Sequence, residues 1–248
     1  MTTDSMTPER CAAEVKDAVG GFGFAWMSDA GVRERGREQL GLRGRALYHL
    51  GRCGVLGDAS VDTVVAAEAF FPPAVVREHW EQGRAQVEPA AAAAWYSGAC
   101  QDAARACFAD DEATARLAAL VERAVDSVDA PAMPLFAGWR ALPRPDDAPG
   151  RLGLLLNVLR EHRGSVHAAA VAVIGLHPLA AVVAGSYGEA NARFFEWPEP
   201  YPPAAEHRAA WEHAERLTCQ AAAGPYAALE EDERVELVAL TGRLLGPA

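Results

Sequence analysis

Runs in which Val, Ile, Thr or aromatic residues alternate with polar ones are nearly absent from this chain, and a half-buried strand requires that pattern. Alanine dominates instead, with Leu, Glu and Arg plentiful, all residues that lose little rotamer freedom in a helix. The expected fold is all-α. At 248 residues the chain is long enough for one large domain or two small ones, either able to bury a stable core.

Helix punctuation sets the expected elements. Thr7, Pro8 and Glu9 read as N-cap, first helical position and acidic first turn, so a first helix should run to about Val19, where Gly20 and Gly21 stop it. Patterns near 28–40 and 42–53 follow, divided by Gly41; Asp58 or Ser60 caps another near 60–70, and Pro72-Pro73 ends it and opens one near 73–84. The stretches 89–108 and 111–128 repeat apolar residues at spacings of three and four and should pack as an antiparallel pair. The Pro-rich run 141–150, ALPRPDDAPG, is the expected boundary between helical halves, 1–140 and 141–248. Beyond it, a Leu-striped helix over 150–163 should be interrupted at Gly164 before an apolar run over 166–175. Pro178 opens a short helix, WPEPYPP (197–203) should lie extended, and helices near 204–222 and 230–245 close the chain.

Shifted by 118 residues, 33–76 aligns with 151–194 without a gap and with nine identities, among them Arg45/Arg163, His49/His167 and Gly57/Gly175. Two readings stand: a pseudo-symmetric pair of helical halves around a central cavity, or a chance match between Ala-rich helices. In both segments the Arg and His are four apart, on one helix face.

The net charge of −11 makes nucleic acid a poor default partner, since phosphate contacts by Lys and Arg supply most of the affinity for DNA. The dense cluster Arg33, Arg35, Arg37, Arg43 and Arg45 reads as a solvated face paired with Glu34 and Glu38. Five scattered cysteines without C-x-x-C spacing form neither a disulfide framework nor a zinc knuckle; Cys100 and Cys107 read as small buried residues. The opening MTTDSMTPER has no apolar core, and no stretch of eighteen apolar residues occurs, so the expectation is a cytoplasmic protein with no membrane partner.

The run from Pro134 to Val183, with its PLFA start, ALPRPDD, and LREHRGSVHAAAV over Leu159–Val171, resembles an actinobacterial helix-turn-helix family distantly like MarR-type winged-helix regulators. LGLRGRALYHLGRCGVLG (Leu40–Gly57) and ERLTCQAAAGPYAAL (Glu215–Leu229) are similar to that family's opening and closing segments. The resemblance implies a DNA-binding fold in which 141–248 carries a helix-turn-helix-like segment. Where members carry a recognition helix and a wing, this chain has NARFFEWPEPYPPAAEHRAAWEH, without a basic helix or a hairpin signal.

Glu161, His162, Arg163 and His167 put a carboxylate, two imidazoles and a guanidinium within seven residues, a set suited to a metal ion or haem, or to an anionic ligand. The metal set would be Glu161, His162 and His167. On an unbroken helix the two imidazoles point about 140° apart, so sharing a ligand requires a bend at Gly164. Arg163 and His167 can share one directly; the plainer alternative pairs Arg163 with an acid and hydrogen-bonds His167 to a neighbouring helix. Tyr48, His49 and Arg52 occupy one helical turn and suit an anionic or phenolic ligand, or else helix packing. No G-x-S-x-G, H-E-x-x-H or Walker pattern occurs.

The expectation that follows is a helical protein binding a small molecule, metal or haem, as an enzyme or accessory factor in natural-product metabolism. The alternative is a DNA-binding transcriptional regulator, assembled as a homodimer.

Overall fold

The cap signals place most helix starts. In the computed structural model, which describes residues 5–246, Thr7 caps α1 (Pro8–Ser28), Asp29 caps α2 (Ala30–Leu40), and α3 follows at Arg45–Cys53. Ser60 caps α4 (Val61–Ala67), and Pro73 opens α5 (Pro73–Arg84). Next come α6 (Pro89–Cys107), α7 (Glu112–Asp126) capped by Asp111, and α8 (Pro134–Arg140). Asp147 caps α9 (Ala148–Val173); α10 (Pro178–Ala184), α11 (Gly188–Phe194), α12 (Ala204–Ala221) and α13 (Glu231–Leu245) complete the chain. Among the described residues there is no strand, so the fold is all-α.

α9 is the axis of the molecule. Leu152, Leu154, Leu155, Leu156, Val158 and Leu159 are all buried, so its middle is apolar all round and needs partners on every side. α6, α7, α8, α12 and α1 supply them. α6 and α7 therefore do not form the expected antiparallel pair: each packs against α9 and they make almost no contact with one another. Gly153 allows the closest approach, because a Cβ there would stand 2.4 Å from Ala104 Cβ on α6. The main core draws on residues from Cys11 to Leu240, on both sides of the Pro-rich run 141–150.

Two expected helix breaks are absent. α1 continues through Gly20 and Gly21, since Val15, Val19, Phe22 and Trp26 form one buried stripe that carries the helix across them. Each helical glycine costs about 1 kcal/mol. Each large side chain buried beyond it returns roughly 1.5–3 kcal/mol, so packing wins. α9 likewise runs unbroken through Gly164 for 26 residues. α8 and α11 are short helices that the sequence reading did not place. Cys107 is exposed, contrary to expectation, whereas Cys100 is buried.

Gly57 and Gly175, matched by the 118-residue shift, both take left-handed φ values, 67° and 69°. Each precedes a short helix, α4 or α10, and then a second, α5 or α11. No single helix among the described residues is long and apolar enough to cross a membrane.

Candidate functional site

α3 buries Ala46, Leu47, Leu50 and Cys53 and so turns His49 and Arg52 toward α9 and the segment after α4. Arg52 grips Glu161 with two bonds, Nε to Oε1 at 2.9 Å and Nη2 to Oε2 at 2.7 Å, and gives Nη1 to Glu68 Oε1 at 3.1 Å. Arg160 adds a bond to Glu161 Oε1 at 2.9 Å. Glu68 also receives His49 Nδ1 and the Cys53 thiol, and all three are buried. Burial alone would raise the carboxyl pKa of both glutamates. The adjacent charges outweigh it: His49 and Arg52 lower Glu68, and Arg52 and Arg160 lower Glu161, so both carboxylates stay ionised. His79 stacks on His49 with ring centroids 5.7 Å apart.

Beside this buried cluster a cavity of about 1160 Å³ opens between α1, α3, α9, α10 and α11. Tyr48, Arg52, Arg163 and His167 all line it. Arg163 bonds Glu215 on α12 at 2.7 Å, while His167 Nδ1 lies 2.9 Å from Thr218 Oγ1 and 3.3 Å from Glu215 Oε1. Phe70 stacks on the His167 ring at 5.1 Å. Burial lowers the His167 pKa, opposed by Glu215 and assisted by Arg163. Both features of the plainer alternative are thus present, an acid on Arg163 and a helix partner for His167, yet both side chains also reach the cavity wall. His49 does not; it is sealed behind Glu68.

The expected metal set does not assemble. Glu161, His162 and His167 do not converge: Glu161 spends its oxygens on Arg52 and Arg160, and the unbroken α9 keeps the imidazoles on different faces. His162 packs edge-on to Phe136, centroids 5.2 Å apart, where burial and then the nearby Arg140 push its pKa down to about 4. Among the described residues no three His, Cys, Asp or Glu side chains are grouped to hold a metal ion.

A model described as a helix-turn-helix family matches residues 14–200, three quarters of the chain. The chain belongs to that family. Neither a curated protein nor a solved structure matches it significantly.

As a helix-turn-helix protein it offers two sets of three helices in chain order, α3–α4–α5 and the end of α9 with α10 and α11. In the first, α5 fixes Val76, Trp80 and Gly83 inward, with Gly83 close enough to α3 that a Cβ would stand 3.0 Å from Leu50. It leaves Arg77, Glu78, Glu81, Gln82 and Arg84 exposed. Arg77 pairs with Asp62 and Arg84 with Asp58 at 3.1 Å, all at the surface. α11 is only seven residues long, and Arg45 lies over its Phe194 ring at 4.4 Å.

The arginine cluster divides. Arg37 binds Glu34, with Nε 2.9 Å from Oε2, and approaches Glu38 at 3.9 Å, as expected. Arg45 instead reaches Glu196 at 2.7 Å. Arg35 and Arg43 are exposed, and their side chains have no ion pair or hydrogen bond among the described residues. Gly41, in the link between α2 and α3, lies beside Gln86 just past the end of α5, so this link adjoins the C-terminal end of α5.

Sequence reading missed Glu68, Arg160, Glu215 and Thr218. Arg52 and Glu161 are 109 positions apart, so no local spacing could pair them. The one available signal was Glu68 itself, a lone acid between apolar residues in VVAAEAFF.

Proposed function

We propose that this protein is a DNA-binding regulator that enters the major groove with α5. Family membership supports the class, and the observation that carries the assignment to α5 is its outward pair Arg77 and Arg84, seven residues apart on one face of a helix locked to α3. A recognition helix reads base edges with such donors, and flanking cations fix its register on the phosphates. Arg35 and Arg43 are the flanking cations. The ion pairs of Arg77 and Arg84 are no obstacle, since their acids are 77% and 85% exposed. Exposed pairs contribute about 0–1 kcal/mol and exchange readily for phosphate.

The overall charge of −11 opposes DNA, which makes binding local and steeply dependent on salt. Selection of duplexes from a random-sequence pool at low salt tests the reading. Enrichment of a motif by the wild type, lost in the Arg77→Ala/Arg84→Ala variant at unchanged melting temperature, is the expected result. No enrichment over the input pool overturns it.

A further inference from the structure

The cavity is built in a way that packing alone does not explain. Of fourteen glycines within α-helices, five have open space where a Cβ would project, and three of these, Gly20, Gly21 and Gly164, line the cavity from α1 and α9. None of the three has a positive φ, and none is pressed by a neighbour. Each costs about 1 kcal/mol of helix stability relative to alanine and preserves only room. A second observation is independent of them. Tyr96, 1% exposed, reaches the same wall, and its hydroxyl has no hydrogen-bond partner among the described residues. An unmatched buried hydroxyl costs on the order of 1–3 kcal/mol, so a partner belongs there.

The wall also has a chemical character. Phe24, Phe70, Phe194 and Trp211 supply aromatic faces. Six Lys or Arg side chains stand on it against three Asp or Glu, and Glu161 and Glu196 neutralise two of the six from behind. The lining therefore stays positive in a strongly acidic chain. Arg160 is laid across α1 at Gly23, where a Cβ would stand 2.4 Å from its Cδ, which holds the guanidinium near Tyr48 and Tyr96. Ligand pockets commonly span about 300–1,000 Å³, so this one suits a molecule of several rings.

We propose that the cavity binds a multi-ring aromatic anion, its rings between α1 and α9 and its acidic group at Tyr48, Tyr96 and Arg160. This goes beyond the DNA reading and stands without it, since its test contains no DNA.

The experiment is a fluorescence titration of the full chain with 8-anilinonaphthalene-1-sulfonate, beside its uncharged analogue N-phenyl-1-naphthylamine. Saturable binding of one sulfonate per chain is expected, at least tenfold tighter than the neutral dye. Gly20→Leu and Gly164→Leu fill the open space on better helix formers, so each should keep or raise the melting temperature while weakening the sulfonate at least tenfold. Tyr96→Phe should weaken the sulfonate several-fold and leave the neutral dye unchanged, a readout that survives if either leucine variant fails to fold. Equal affinity for the two dyes, non-saturating binding, or wild-type affinity in folded leucine variants and Tyr96→Phe overturns the proposal.

Discussion

Two Arg–His pairs of the same spacing, Arg45/His49 on α3 and Arg163/His167 on α9, end in different surroundings. His49 is locked against Glu68 inside a cluster that also holds Arg52 and Glu161, while Arg45 turns away to Glu196. Arg163 and His167 share one carboxylate, Glu215, at the edge of the cavity. Identical spacing therefore says nothing about role. What differs is the depth of the acid that answers the pair: both acids reach the cavity wall, but the Glu68 side chain is fully buried whereas that of Glu215 is 19% exposed.

The sharpest way to break that comparison is to remove the other buried acid of the His49 cluster. Glu161→Ala leaves the Arg52 guanidinium with one of its two carboxylates gone in a buried site, which should cost on the order of 3–5 kcal/mol in urea unfolding. Replacing both partners, Arg52→Met with Glu161→Leu, should cost far less. If the single substitution costs no more than a surface pair, the cluster is not the buried element described.

Acid should act next, through the other face of α9. His162 is held near pH 4 in the fold and titrates near 6.5 when unfolded. The unfolded chain thus binds more protons in between. Its contribution is complete above about pH 6.5 and is lost as pH falls toward 4, by up to about 3 kcal/mol. His162→Phe should flatten the acid limb of stability over that window; an unchanged limb would place the imidazole in water.

The smallest effect belongs to the open pair. Arg163 and Glu215 are partly exposed, and Glu215→Ala should cost about 1 kcal/mol or less. A loss as large as that of Glu161→Ala would erase the contrast between the two regions.

Much of the helical layout was legible, because caps act locally. Ser60, Pro73 and Pro178 each mark a helix start within one residue. The glycine stops at 20, 21 and 164 were misread because their context is tertiary: Phe22 and Trp26 draw α1 onward, and the leucines of α9 do the same. Arg163 and His167 were visible as a pair because both lie on one helix. Their partner Glu215, and the carboxylates around Arg52, come from distant elements that only packing brings together. The metal set failed for the same reason, since Glu161 was already committed to Arg52 on a helix 109 residues away.

The claim that α5 and the neighbouring arginines meet DNA is tested most directly by the salt dependence of binding. Fluorescence anisotropy of a pool-selected duplex should show affinity falling steeply between about 50 and 200 mM salt. Arg35→Ala/Arg43→Ala should make that slope shallower by roughly two counterions at unchanged melting temperature. Absence of binding at the lowest salt, or a slope unmoved by removing both arginines, would contradict it.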